Sequence, residues 1–234
     1  MNQYWLLEDG VNRYLIRMAL SSFAIICIAL STAAASRAAV VYLVTVDTAS
    51  VAATAGNINF QLNPGGAAQF VSADISSFMF IGGGSLDGPP ALIGNVTGVL
   101  PATVTLTTGP PASGLNDYFQ LVTYGNKFSF VLSLYGPGVD APDGVSTAGT
   151  TFGIALFNNA LPFPNPILTT DPFGFAAIID IAPGTGVITL TPFPTPGGPP
   201  AVTFDPIPEP ATFLSMGSSL LAVMVLYRRR KRNS

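Results

Sequence analysis

The stretch Lys127-Phe-Ser-Phe-Val-Leu-Ser-Leu-Tyr135 alternates large apolar residues with smaller or polar ones. Successive side chains of a β-strand point to opposite faces, so this alternation places all the large apolar side chains on one face. Those side chains are Phe128, Phe130, Leu132 and Leu134. The pattern predicts a strand with one face buried in a hydrophobic core.

Similar segments lie on both sides of this strand, separated by turns rich in Gly, Pro, Asn and Asp. The predicted strands are 40–46, 57–62, 68–81 (as one bent strand or two), 102–108, 116–124, 150–157, 173–181, 186–191 and a closing strand at 201–204. None of these segments keeps a helical period. The pattern predicts an all-β fold, a single antiparallel β-sandwich or jelly-roll-like domain over residues 39–191.

The charge of the chain is concentrated at its ends. Between residues 39 and 209 the only basic residue is Lys127, and the formal charge of this stretch is −9. A nucleic-acid-binding protein needs Lys and Arg to neutralise phosphates. We therefore exclude nucleic acid as a partner of the body.

The residue types for most enzyme chemistry are missing from the body. The chain has no His, and its single Cys is Cys27, in an N-terminal apolar segment. General bases near neutrality are most often His. Paired carboxylates are the remaining option, but the acids lie in turn contexts such as Asp87-Gly-Pro, Asp171-Pro and Asp205-Pro. We expect a protein that is not an enzyme, with a carboxylate-dependent glycoside hydrolase as the alternative.

Calcium is the one metal that the residue types favour. The loop Gly138-Val-Asp140-Ala-Pro-Asp143-Gly144 offers two carboxylates and several carbonyls. Calcium takes six to eight oxygen ligands, so Asp117 or Asp171 would have to converge on this loop. A plain turn is the simpler interpretation, and we expect no cofactor.

The N-terminal region is typical of an export signal. Residues 18–30 are apolar and are followed by a segment of small residues. This arrangement predicts a signal peptide over residues 1–38, forming a signal helix, with cleavage after Ala35 or Ala38. Met18 is an alternative start, because Glu8 and Asp9 are unusual in a signal.

The C-terminal region is typical of a membrane anchor. Residues 192–206 are rich in proline and predict a stiff, extended spacer. Residues 211–227 carry no charge and predict a short transmembrane helix. A basic cluster follows, made of Arg228, Arg229, Arg230, Lys231 and Arg232. By the positive-inside rule this cluster stays in the cytoplasm, which places the body outside.

The last 28 residues, 207–234, resemble the PEP-CTERM sorting signal. Pro208, Glu209 and Pro210 match its motif, and the apolar helix and basic end follow in the order of that family. The resemblance implies recognition by an exosortase that cleaves near the motif, so that the anchor is temporary. The body is also similar to a group of PEP-CTERM proteins without assigned activity, through residues 41–48, 60–66 and 168–176.

These observations predict an exported protein of the cell envelope or extracellular space, anchored transiently in the inner membrane. We expect a structural or binding role in the exopolysaccharide matrix, with polysaccharide or other envelope proteins as partners. Exposed aromatic residues as a sugar-binding platform are one option, although most of the 16 Phe are expected in the core. An unprocessed, permanently anchored surface protein is the other alternative.

Overall fold

The computed structural model describes residues 39–66, 68–109, 114–159 and 164–208, which form an all-β body of two antiparallel sheets. Within these ranges the strands are β1 (Val40–Asp47), β2 (Ala55–Pro64), β3 (Ser72–Ile81), β4 (Ser85–Leu86), β5 (Ala91–Ile93), β6 (Val96–Thr97), β7 (Val104–Thr107), β8 (Asn116–Thr123), β9 (Lys127–Tyr135), β10 (Thr150–Asn158), β11 (Phe175–Ile181), β12 (Ile188–Pro192) and β13 (Val202–Pro206). A 3-10 turn covers Ala49–Val51, and one helical turn, α1, covers Pro137–Asp140.

The strands divide into a six-stranded back sheet and a seven-stranded front sheet. The back sheet has the order β13-β1-β9-β3-β7-β6. The front sheet has the order β12-β11-β10-β2-β8-β4, and β5 also pairs with β8. From β1 to β3, and again from β7 to β10, the chain alternates between the sheets. Strand β2 lies at the centre of the front sheet, between β10 and β8.

The strand predicted at Lys127–Tyr135 is confirmed over its full length. It is β9, and it pairs with β1 on one side and β3 on the other. Its predicted core residues Phe128, Phe130, Leu132 and Leu134 are all fully buried. The alternation thus predicted both the strand and the face that it buries.

The core lies between the two sheets and is centred on Phe60 of β2. Its ring packs edge-on against Phe130 of the back sheet, with ring centroids 5.1 Å apart. It also stacks with the rings of Phe152 and Tyr118 of the front sheet, at centroid distances of 6.2 and 6.3 Å. Offset and edge-on contacts of this kind stabilise aromatic pairs beyond simple burial. The contact with Phe130 holds the front sheet against the back sheet, and the other two join neighbouring strands of the front sheet.

The segment predicted as one bent strand or two is a single strand, β3, with a bulge. The register against β9 shifts between Ser76 and Met79, and Ser77 has a positive φ of 53°. The extra residue changes which alternate positions face inward. As a result Ile75 before the bulge and Phe78 after it are both buried, although they are three positions apart.

The predicted proline-rich spacer over 192–206 is wrong, because this segment belongs to the body. Strand β13 lies inside it, pairs with β1 and extends the predicted closing strand 201–204 to Pro206. Before it, Pro194 and Pro200 form an isolated bridge. Proline is tolerated here because β13 is an edge strand, which needs hydrogen bonds on one side only. Val202 is 1% exposed and fixes the segment to the core.

The predicted features at the two ends lie outside the described residues, apart from Pro208, which is exposed. They are Ala35 and Ala38, Glu209 and Pro210, the helix 211–227, and the basic residues Arg228, Arg229, Arg230, Lys231 and Arg232. Among the residues that the structure describes, no helix is long and apolar enough to cross a membrane.

Candidate functional site

The outward side of the central front-sheet strand β2 carries a row of side-chain amides. Its inward side chains are Ile58, Phe60 and Leu62, all fully buried. The alternate, outward positions are Asn57, Asn59, Gln61 and Asn63. We call the outward side of β2, β8, β10 and β11 the amide face.

The amides of this row are hydrogen-bonded to one another. Asn63 Nδ2 donates to Gln61 Oε1 at 3.2 Å, and Gln61 Nε2 donates to Asn59 Oδ1 at 2.7 Å. Asn59 Nδ2 in turn donates to Oδ1 of Asp117 on the neighbouring strand β8. An ionised carboxylate can only accept hydrogen bonds. Asp117 therefore fixes the direction of the three linked amides of Asn59, Gln61 and Asn63, whereas Asn57 Nδ2 donates to the Asn158 carbonyl instead.

The carboxyl of Asp117 is partly withdrawn from water. Burial raises its pKa above the ordinary value, and the hydrogen bond from Asn59 opposes this with a smaller lowering effect. Desolvation disfavours the charged form of an acid. The group is thus a stronger hydrogen-bond acceptor than a fully hydrated carboxylate.

Two phenylalanine rings cover one end of the amide row. Phe119 of β8 and Phe157 of β10 flank β2, and their ring centroids are 6.3 Å apart. Strands β8 and β10 are two strand spacings apart, or about 9.6 Å, so the rings lean toward each other across β2. Asn57 and Asn59 are only 1% and 2% exposed, although they are on the outward side. The accessible amides are consequently Gln61 and Asn63.

A third ring lies beside the accessible amides. Phe175 of β11 packs over Gly153 of β10, so that an ideal Cβ at Gly153 would lie 2.4 Å from Phe175 Cε1. Gly153 is the direct neighbour of Gln61 in the sheet. The half-buried Phe175 ring therefore occupies the surface next to the amide row.

The other end of the face is a polar row that crosses four strands. Asn63 of β2 stands opposite Thr151 of β10, which stands opposite Asp180 of β11 and then Thr189 of β12. The hydroxyl of Thr151 donates to Asp180 Oδ1 at 2.6 Å. This row supplies hydroxyl, amide and carboxylate groups on one side of the sheet.

The calcium candidate Asp143 is engaged within its own loop. Its carboxylate accepts hydrogen bonds from the backbone N–H of Val145 and Ser146, both at 2.9 Å, and from Ser146 Oγ at 2.6 Å. The side-chain and backbone bonds from Ser146, followed by that from Val145, lower the pKa of Asp143. These bonds make the loop a hydrogen-bonded turn.

The other candidate, Asp140, stabilises the turn of α1. Its Oδ2 accepts a hydrogen bond from the Gly136 N–H at 2.7 Å, while Oδ1 is buried without a protein partner. The two residues proposed to converge on it have other roles. Asp117 belongs to the amide face, and Asp171 accepts from Phe173 N and Phe175 N. Within the described ranges, no three His, Cys, Asp or Glu residues group as metal ligands do.

A small crevice lies next to α1, between Gln69, Ser146 and Pro183. Its volume of about 10 Å³ suits a single water molecule. The hydroxyl of Thr150, which lines the crevice, is buried without a protein partner. The crevice is too small for an organic ligand.

The single lysine of the body lies on the opposite sheet from the amide face. Lys127 Nζ is 3.7 Å from Asp47 Oδ2, and both side chains are about half exposed. Such a surface pair contributes little to stability. Its position matters more, because it leaves the amide face without a cation.

The sequence contains a pattern for this face beyond the strand predicted at 57–62. The segment Asn57-Ile-Asn-Phe-Gln-Leu-Asn63 alternates amides with apolar residues. An unbroken run of amides on the solvent side of one strand was the available signal. The contributions of Phe119, Phe157 and Phe175 depend on strand order, which the sequence does not state.

The fold and this face define a two-sheet, all-β body with an amide-rich and phenylalanine-rich outer surface. Comparison with protein-family models and with curated proteins finds no match to this chain.

Proposed function

We propose that this chain is an exported, non-catalytic protein of the cell envelope or extracellular matrix that binds polysaccharide. The amide face is the observation that carries the proposal. Amides offer both donors and acceptors to sugar hydroxyls, and aromatic rings offer flat apolar surfaces. Ligand sites commonly combine such apolar surfaces with a few placed polar groups.

The finer fold assignment is part of the proposal. The orders β1-β9-β3-β7 and β2-β8-β4, together with the alternation between sheets, support a jelly roll, with β10–β12 and β13 added at its edges. Jelly rolls are frequent among lectin domains. A signal helix within residues 1–38 and a transmembrane helix over 211–227 complete the proposed organisation.

Export and sorting are proposed from the two ends of the sequence. Cleavage after Ala35 or Ala38 releases the body outside the inner membrane. An exosortase then recognises Pro208, Glu209 and Pro210, while the helix and its basic cluster serve as a temporary anchor. The exposure of Pro208 agrees with access by a processing enzyme.

The position of the carboxylates favours binding over hydrolysis. Asp117 of β8 and Asp180 of β11 are on the amide face, three strand spacings apart, or roughly 14 Å. The paired carboxyls of glycoside hydrolases are about 5–9.5 Å apart. We therefore prefer a binding role to a carboxylate-dependent glycoside hydrolase acting on this face.

The test is co-sedimentation of the full chain with exopolysaccharide isolated from the producing cells. We expect the protein in the pellet and no release of reducing sugar. Protein that stays in the supernatant, or turnover of the polymer, would contradict the proposal.

The sorting part is tested separately by intact mass of the protein from the producing cells. We expect loss of residues 1–35 or 1–38 and a new C-terminus near residues 208–210. A mass that retains residues 211–234 would instead identify a permanently anchored surface protein.

A further inference from the structure

We propose that the amide face binds an uncharged polysaccharide whose chain crosses the strands between Asp117 and Asp180. This inference rests on the proposed function and specifies its ligand class. Gln61 and Asn63 donate and accept hydrogen bonds with the sugar hydroxyls, the two carboxylates accept from them, and Phe175 packs against a sugar ring.

The accessible amides keep hydrogen-bonding capacity for a ligand. An amide has two N–H donors and a carbonyl oxygen with two lone pairs. For Gln61, the amide row uses one hydrogen and one lone pair, since it donates to Asn59 and accepts from Asn63. One donor and one acceptor then remain beside each other. This combination matches sugar hydroxyls, which both donate and accept.

The amides are held in place before a ligand arrives. Asn59 is 2% exposed and bonded to Asp117, so the buried end of the row anchors Gln61 and, through it, Asn63. Side chains that are already ordered lose less conformational entropy on binding. An ordered surface on a rigid central strand is what recognition of weakly interacting hydroxyls needs.

The charge of the face selects the class of polysaccharide. The face carries Asp117 and Asp180, while the only basic residue between positions 39 and 208 is Lys127, on β9 of the back sheet. Like charges brought together at an interface are costly. Uronic-acid, sulfated or phosphorylated polymers would be repelled, whereas an uncharged chain meets only hydrogen-bonding and apolar groups.

The shape of the face suits a chain that runs across the strands. Gly153 has no side chain, so the Phe175 ring can lie over its backbone, directly beside Gln61 of the neighbouring strand. Asp117 and Asp180 are separated by three strand spacings, or roughly 14 Å across the sheet, a span that several linked sugar units cover. The strip combines side-chain amides, a hydroxyl and carboxylates with one aromatic ring, unlike the more apolar core of most protein–protein interfaces, which favours a glycan over a protein partner.

The experiment measures binding of the full chain, in a polyoxyethylene detergent that contains no sugar, to a panel of polymers. Laminarin and galactomannan are the uncharged probes, and alginate and polygalacturonate are the anionic ones. In affinity gels, each polymer is included in a native gel and the migration of the protein is measured. We expect only the uncharged polymers to retard the protein. Gln61→Ala and Asn63→Ala should each weaken this binding about 3- to 10-fold, the effect of losing one or two hydrogen bonds.

Gln69→Ala is the matched control, because Gln69 lies by the small crevice and not on the amide face. Gln61→Glu keeps the shape of the side chain, removes its N–H donors and should also weaken binding. Melting temperatures show that each variant is folded. Retardation by the anionic polymers alone, or binding unaffected by both Gln61 variants, would overturn this inference and leave a polysaccharide-binding role standing. If the chain binds neither a polymer of the panel nor the native exopolysaccharide, this inference and the proposed polysaccharide-binding function are both overturned.

Discussion

The ring of Phe175 occupies the space that a side chain at Gly153 would fill, since an ideal Cβ at Gly153 would lie 2.4 Å from Phe175 Cε1. A larger residue at position 153 could not be accommodated without moving the Phe175 ring. A glycine in a strand interior weakens the sheet, and here the neighbouring ring covers the exposed backbone. The pair thus links sheet stability to the shape of the amide face.

Gly153→Ala should displace the Phe175 ring and disturb both properties. We expect a loss of about 1–3 kcal/mol in the free energy of unfolding, the usual effect of overpacking, together with weaker laminarin binding. Urea unfolding and affinity gels measure the two effects. Gly66→Ala is the control, because no atom lies within 4 Å of its ideal Cβ. Unchanged stability and binding in Gly153→Ala would contradict the described packing.

Val202→Ala tests whether the proline-rich segment belongs to the body. Val202 is 1% exposed and pairs with Val46 of β1, so its truncation should lower the free energy of unfolding by about 2 kcal/mol. Val187→Ala, at a 55% exposed position, should change it little. If both variants match the wild type in urea unfolding, residues 192–206 behave as the free spacer that the sequence predicted.

Asp117→Asn should change the pH dependence of stability. The pKa of Asp117 is raised by burial, so the folded state holds this proton more tightly than the unfolded state. The associated stability is present below the ordinary pKa and is lost as the pH rises through the raised value. We therefore expect Asp117→Asn to be more stable than the wild type at pH 7.

The difference between Asp117→Asn and the wild type should disappear below about pH 3. Urea unfolding midpoints at the two pH values give the comparison. Asp205→Asn, at an exposed position on the edge strand β13, is the control and should change the midpoint little at either pH. A lower midpoint for Asp117→Asn at pH 7 would be the opposite of the expected result.

Calcium should not stabilise the loop that contains Asp140 and Asp143. The Asp143 carboxylate already accepts hydrogen bonds from Val145 and Ser146, and Asp140 accepts from Gly136. We expect the same melting temperature in excess EDTA and in excess calcium. A clear rise with calcium, absent in Asp140→Asn, would show that these carboxylates turn toward a metal ion.

The sequence predicted the parts of the fold that depend on local alternation. Strand β9 is the clearest case, because every second residue is large and apolar. The short strands β4, β5 and β6 were missed, because the segment that contains them is broken by Gly and Pro and its few apolar residues show no alternation. They become strands only through pairing with β8 and β7.

The candidate site was harder to predict, because it depends on strand order. Gln61 and Gly153 are neighbours only because β2 pairs with β10, and Phe119 meets Phe157 only across β2. The loop with Asp140 and Asp143 was the one metal candidate that the residue types offered, but its carboxylates accept hydrogen bonds from neighbouring residues of the same loop. The useful local sign was the run of amides on one side of β2.

The most direct test of the central claim is an NMR titration of the isotope-labelled full chain with laminarin oligosaccharides, following side-chain amide signals. We predict that the signals of Gln61 and Asn63 shift with increasing oligosaccharide, while that of Gln69 does not move. Shifts confined to other surfaces, or signals of Gln61 and Asn63 that stay in place while oligosaccharide binds, would contradict the assignment of the amide face as the binding surface.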